Sequence, residues 1–250
     1  LFGLPLALLV CLALGPQAIA AGWTPQSFVA SYGLETMGFN IGTMDRELTV
    51  NASGIYAYRS EMRAEGIAKM FLKGKVTERS TGVCQGEQCV PSLYVADNPG
   101  SKKVKHTEIR FDWGGGQVQV RLDSQALLHP LQTDMIDKLT VELILMRDIA
   151  KGQRETAYTV VEGRKVKTYR MKVLGNERVN SPQGSFDAVK LIRDMSEARQ
   201  TGNPRNTVIW SVPALDFIPV RVEHTEKDGR VITAVLKSLR RGGASVADAR

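Results

Sequence analysis

Hydrophobic and polar positions alternate along most of this chain with the period of two that a half-buried β-strand imposes. Phe28, Ala30, Tyr32 and Leu34 share one face, and Phe39 and Ile41 lie between Gly38 and Gly42. Leu48 and Val50 lead into the turn cluster Asn51-Ala52-Ser53-Gly54, and residues 55–62 form a further strand. Strands are expected again at 76–80 and 90–96. Ile109, Phe111 and Trp113 alternate on one side of Gly114-Gly115-Gly116, and Val118, Val120 and Leu122 on the other, the signature of a hairpin. The second half reads as strands at 156–161, 165–174, 186–193, 208–212, 219–225 and 230–239, with a strong hairpin signal at Asp228-Gly229.

The period changes in two places. Ile67, Met70 and Phe71 are spaced as in two helical turns between Gly66 and Gly74. A long helix is predicted over 134–151, where Met135, Leu139, Leu143 and Met146 form one apolar stripe widened by Ile136 and Ile149. Thr133 or Asp134 caps it in this reading, Asp137 sits in the first turn where the helix dipole favours a carboxylate, and Lys151 and Gly152 end it. A helix among so many strands must bury its stripe on a sheet. The expected fold is therefore mainly β: one large curved antiparallel sheet, an open or half barrel, packed on one long helix.

The first residues stand apart. Leu1 to Leu14 is apolar and uncharged, Gly15-Pro16 breaks it, and Ala18-Ile19-Ala20 has the small-x-small pattern of a cleavage site. This reads as a secretory signal peptide over 1–20, too short for a membrane span. A single domain over 21–240 and a flexible tail over 241–250 complete the expected organisation. Export places the mature chain in the periplasm. Val10 before Cys11 does not fit a lipidation site, so lipoprotein anchoring is not expected.

At 250 residues and 43% hydrophobic content the chain can bury a core without staples. Its formal charge of +7 survives loss of residues 1–20 and points to an anionic membrane surface as a partner. The basic residues are scattered, with short clusters such as Lys102-Lys103-Lys105, and no aromatic-basic motif suggests nucleic acid. Cys84 and Cys89 bracket four residues; in an oxidising compartment they are expected to form a disulfide closing a small loop.

The search for chemistry finds no metal or nucleophile signature. His106, His129 and His224 lie far apart, and neither Gly-x-Ser-x-Gly nor Ser-x-x-Lys occurs. No catalytic residue, metal ligand or cofactor is assigned, and the chain reads as a non-enzyme.

Spaced motifs across the mature chain carry a family resemblance. They are Phe28 and Tyr32 before a Gly-rich strand, Tyr56-Ala57-Tyr58-Arg59-Ser60, Pro91 to Tyr94, and Arg110-Phe111-Asp112-Trp113. Then come the Asp-initiated helix at Gln132-Thr133-Asp134, Pro182 to Gly184, Trp210, and Ile218-Pro219-Val220-Arg221-Val222-Glu223 before Asp228-Gly229. In their order the chain resembles the bacterial exported proteins grouped as domain of unknown function 3108, with Asp134 and Asp137 both candidates for the helix-initiating aspartate. The resemblance implies an exported envelope protein of undefined activity, with a fold similar to lipoprotein carriers, a curved sheet over a helix-lined cavity. On this reading the chain binds or carries a lipid, an acylated ligand or another apolar envelope component between sheet and helix. Phe111, Trp113, Leu139, Leu143, Met146 and Trp210 are the expected apolar lining. A protein-interaction module working through an open sheet edge is the alternative.

Overall fold

The computed structural model describes residues 23–66, 69, 74–102, 104–194 and 205–242. The expected signal peptide, most of the 66–74 helical turns, Lys103, the 195–204 loop and all but the first two residues of the expected 241–250 tail lie outside the described residues. The first eight strands are β1 (Phe28–Thr36), β2 (Phe39–Val50), β3 (Ile55–Ala64), β4 (Lys75–Gln85), β5 (Gln88–Asp97), β6 (His106–Asp112), β7 (Gln117–Leu122) and β8 (Gln125–Pro130). A two-residue strand β9 (Met135–Ile136) and one helix, α1 (Lys138–Ala150), follow. The chain then forms β10 (Glu155–Glu162), β11 (Lys165–Ser181), β12 (Gly184–Asp194), β13 (Asn206–Ser211), β14 (Pro219–Thr225) and β15 (Val231–Arg241).

All fifteen strands belong to one sheet with the order β8-β7-β6-β5-β4-β3-β2-β1-β15-β14-β13-β12-β11-β10-β9. Strands adjacent in sequence pair in the sheet except β8 and β9, and the two runs are joined where β1 pairs antiparallel with β15, Phe28 opposite Arg241 and Thr36 opposite Ile232. The single parallel pair is β9 with β10. The sheet thus begins and ends at β8 and β9, which only residues 131–134 separate in the chain. A side-chain contact spans this seam, where Arg164 after β10 bonds to Gln125 of β8. The result is a split barrel rather than a flat sheet, as edge protection requires.

The inner face is read from the pleat. Leu34, Gly42 and Ala64 align across β1, β2 and β3, and Leu48 aligns with Tyr58, Ser80 and Tyr94 across β2 to β5. On the other wall Leu191, Ile209, Val222 and Ala234 align across β12 to β15. At one end of the barrel β1 begins and β2 and β15 end; the turns 37–38, 98–105 and 226–230 lie at the other.

The helix lies inside and is buried on two faces. Leu139, Leu143 and Met146 join the core of β1 to β8, while Val141, Leu145 and Ile149 join Tyr158, Val160, Tyr169, Met171 and Leu191 of β10 to β12. A helix apolar on more than one side is one enclosed by protein. The sequence predicts a single stripe because it assumes a single wall. The start also differs from expectation: Asp137, not Thr133 or Asp134, is the N-cap, with extended backbone at φ −95° and ψ 175°. Met135 and Ile136 are drawn off into pairing with Thr159 and Val160, so the helix begins only after them.

Cys84 and Cys89 are directly opposed at the β4–β5 turn and bonded to each other. The enclosed Glu87 accepts a hydrogen bond on its backbone oxygen from Arg147 at 2.7 Å, and its carboxylate pairs with Lys151. The disulfide loop therefore holds the last turn of α1. Replacing both cysteines by serine should lower stability by ~2 kcal/mol, the loop-closure value for so short a ring. Urea unfolding with and without reductant measures it, and reductant should then leave the double variant unaffected.

Candidate functional site

The interior is divided by how the helix docks. Asp137 is wholly buried, yet its carboxylate is fully occupied. One oxygen accepts from the backbone N–H groups of Leu139 at 2.8 Å and Thr140 at 3.0 Å. The other accepts from the hydroxyls of Ser80 and Thr140, each at 2.7 Å. With both hydroxyl protons spent on the carboxylate, the Tyr56 hydroxyl, 2.8 Å from Thr140, must be the donor in that contact. Burial nevertheless pushes the Asp137 carboxyl above its ordinary pKa, against the pull of these donors.

A second set of contacts lies along the helix at i and i+4. Lys138 pairs with Glu78 at 2.6 Å, and the Tyr94 hydroxyl donates to the same carboxylate. Glu142 pairs with Arg46 and accepts from the Tyr58 hydroxyl at 2.8 Å. Burial would lower the Arg46 pKa, but Glu142 and Tyr58 more than offset it and hold the guanidinium charged. The polar ridge of α1 thus docks on an inner row contributed by β2, β3, β4 and β5.

On the side of α1 toward the start of β1 the interior is filled. Phe28, Leu48, Tyr56, Phe111, Val118, Leu139, Leu143 and Met146 are all buried there. A groove at that end, lined by Trp23, Phe28, Leu48, Met146 and Ile218 and flanked by the Asp216–Arg241 pair, encloses about 200 Å³. That is below the ~300 Å³ at which small-molecule sites begin. A neighbouring hollow of about 750 Å³ has mixed walls, with Asn51, Ser53 and Gln85 beside Pro25, Val50 and Ala52.

On the opposite side the inner face is not filled by the described residues. Met44, Met62, Val76, Ala96, Ile209, Val222 and Ile232 point inward yet are only partly buried. The Glu142 side chain, gripped from two strands, is still 38% exposed, and that of Lys138 39%. Lys138 and Glu142, in the first two turns of the helix, thus keep partial contact with solvent. Apolar walls and a polar floor make this half of the barrel a cup.

The rim of the cup carries its own features. Met37 and Phe39 at the β1–β2 tip are 80% and 73% exposed, large values for apolar side chains. Lys102 is exposed in the loop between β5 and β6 at the same end. On the wall of β12 to β15, Arg193, Thr207, His224 and Ile232 form one cross-strand row just inside the rim.

The six expected lining residues divide three ways. Phe111, Leu139, Leu143 and Met146 lie in one core cluster in the filled half, to which Trp210 is also connected, and Met146 reaches the 200 Å³ groove. Trp113 stacks on Phe111 at the barrel end, 37% exposed, and its indole N–H donates to the Pro91 oxygen at 2.7 Å. Trp210 alternates with Ile209 and so faces away from the helix. It is covered there by the β11–β12 hairpin, which bends at the Val173/Gly175 bulge and bonds through Gln183 to the Lys237 oxygen at 2.6 Å. Lys190 and Arg221 flank its ring at 5.0 and 5.4 Å. The cup residues were missed because their alternation is that of any strand. A usable signal was the excess of inward polar residues (Arg46, Glu78, Ser80) in strands meant to face a core.

The fold and its half-filled interior define a β-barrel-like protein plugged by one helix. The family follows from the sequence: the chain belongs to the family described as protein of unknown function, DUF3108, whose model matches residues 27–237. Among solved structures it is similar to a β-barrel-like protein of domain of unknown function DUF1849 from Brucella abortus. The identity is 12%, the TM-score 0.55, and the match covers 88% of this chain and 99% of that one. Weaker likeness is found to a protein described as an exported protein with a YmcC-like fold from Bacteroides fragilis. There the identity is 11% and the TM-score 0.35, over 88% of this chain and 98% of that one. No curated protein matches the chain in sequence.

Replacing Asp137 by Ala should cost ~2–4 kcal/mol, since a cap is lost and buried donors are left unpaired. Asp137→Asn keeps the cap and should cost less. The raised carboxyl also sets a sign. Between its unfolded and folded pKa values the native state holds more protons, so stability falls as pH rises through that window. Urea unfolding across this acidic range should show wild type gaining on Asp137→Asn as pH falls.

Proposed function

We propose that this protein binds an apolar or amphiphilic ligand, a lipid or an acylated molecule, in the open half of the barrel outside the cytoplasm. The single observation carrying this reading is the exposure of Glu142 and its neighbours inside the barrel. Met44, Met62, Ile209 and Val222 stand on the inner face above the plug helix, at the edge of the core and only partly buried. Burying apolar area there would supply the affinity, at ~25 cal/mol per Å², and methionine walls adapt to varied chains. Binding takes place above the polar ridge of α1, not along its Leu139, Leu143 and Met146 face, which is spent on the core. The protein works by sequestration and needs no cofactor or catalytic group. The apolar Leu1 to Leu14 segment, the Ala18-Ile19-Ala20 pattern and the Cys84–Cys89 bond support export to the periplasm.

The rim supports delivery at an anionic membrane surface. Met37 and Phe39 are placed to enter the headgroup layer, and Lys102 to attract it. A second reading, a protein-interaction module, is favoured by β8: among the described residues it pairs only with β7, and Leu128 on it is 66% exposed.

Two outcomes test the proposal. Titration with a dansylated fatty acid should give saturable binding that Met62→Glu weakens about tenfold or more, with circular dichroism unchanged; ~1.4 kcal/mol corresponds to that factor. A protein that takes up no acyl probe would shift the weight to the β8 edge. In sedimentation with phosphatidylglycerol vesicles, Phe39→Ala should reduce binding at all salt concentrations. Lys102→Glu should reduce it at low salt alone, where charge is unscreened; no loss at low salt counts against the basic rim.

A further inference from the structure

Among the described residues of the cup, Arg193 is a cation without a carboxylate partner. Arg46 is paired with Glu142, Lys138 with Glu78, and Lys167 with Glu162. Arg193 has no carboxylate partner among the described residues. Its guanidinium carbon lies 3.3 Å from the centre of the Tyr169 ring, stacked on it, and its Nε is enclosed with no hydrogen-bond partner. Stacking on an aromatic face fixes the plane of the fork, and a fixed fork is suited to two oxygens of one acidic group.

Its place in the register completes the argument. Arg193 is opposite Thr207, Thr207 is opposite His224, and the Thr207 hydroxyl is 3.0 Å from His224 Nδ1. This polar row borders the rim. Two residues further in along each strand lie Leu191, Ile209, Val222 and Ala234, all apolar. A ligand that satisfies both rows is apolar along its length and acidic at the end left near the mouth.

We infer that Arg193, backed by Thr207 and His224, is the headgroup subsite of the cup, and that its ligand is a single-chain amphiphile ending in a carboxylate or a phosphate monoester. This rests on the reading of the cup as an apolar binding site. The tail selects by burial and binds any chain of suitable length, while Arg193 selects for the acid.

The test compares palmitate, palmitoyl lysophosphatidate and hexadecanol by displacement of a fluorescent acyl probe from wild type, Arg193→Gln and Arg193→Lys. Wild type should bind at least one of the two acids about tenfold or more tightly than the alcohol, the scale of a charge-assisted hydrogen bond. Arg193→Gln should lose that preference while keeping hexadecanol affinity, which also shows that its barrel is intact. Arg193→Lys should recover it in part. The acid with the larger Arg193-dependent preference identifies the source, carboxylate or phosphate. Equal affinity of wild type for acids and alcohol, or an acid preference that survives Arg193→Gln, overturns the headgroup assignment and leaves the apolar site standing. Failure of all three ligands to displace the probe overturns both.

Discussion

The buried carboxylate of Asp137 is the constraint on which the rest of the interior depends. A charge taken out of water is tolerated only when every lone pair has a donor. Two backbone N–H groups, Ser80 and Thr140 meet that need, and each contact fixes geometry. The backbone donors start α1 at a defined residue. Ser80 ties that start to β4, and Thr140 passes the tie to Tyr56 on β3. The helix can then neither slide along the barrel nor turn about its axis without stranding a buried charge.

Fixing the helix fixes what is filled and what is not. With Asp137 on β4, the Leu139, Leu143 and Met146 face meets β1 to β8, and the Val141, Leu145 and Ile149 face meets β10 to β12. The polar ridge of Lys138 and Glu142 then points toward the other end of the barrel, where no element of the described chain follows it. A split barrel of fifteen strands is wider than one helix fills, and beyond the helix the described residues leave an apolar wall and a charged floor. At the same end Met37 and Phe39 are exposed, and so is Lys102.

Much of this architecture was legible in the sequence. The alternation of Phe28 to Leu34, the glycine turn at Gly114 to Gly116 and the Asp228-Gly229 hairpin each name a strand pair that the sheet contains. What was not legible depends on contacts between distant residues. The pairing of β1 with β15 closes the sheet across almost the whole chain, and no local pattern announces it. Asp134 and Asp137 are equally good caps, and the choice between them is made by the capture of Met135 and Ile136 by β10. Ser80, 57 residues from Asp137 in the chain, reads as an ordinary strand serine until the fold brings them together. Trp210 looks like a core tryptophan and is one, but on the outer face, because the β11–β12 hairpin folds back over it.

The most direct measurement of the central claim is native mass spectrometry of the protein, expressed with its first twenty residues and purified without detergent. The account predicts a bound species of lipid or acyl mass that is retained at gentle activation and lost when Met62 and Val222 on the cup wall are made acidic. A clean apo mass, unchanged after incubation with anionic vesicles, would contradict it.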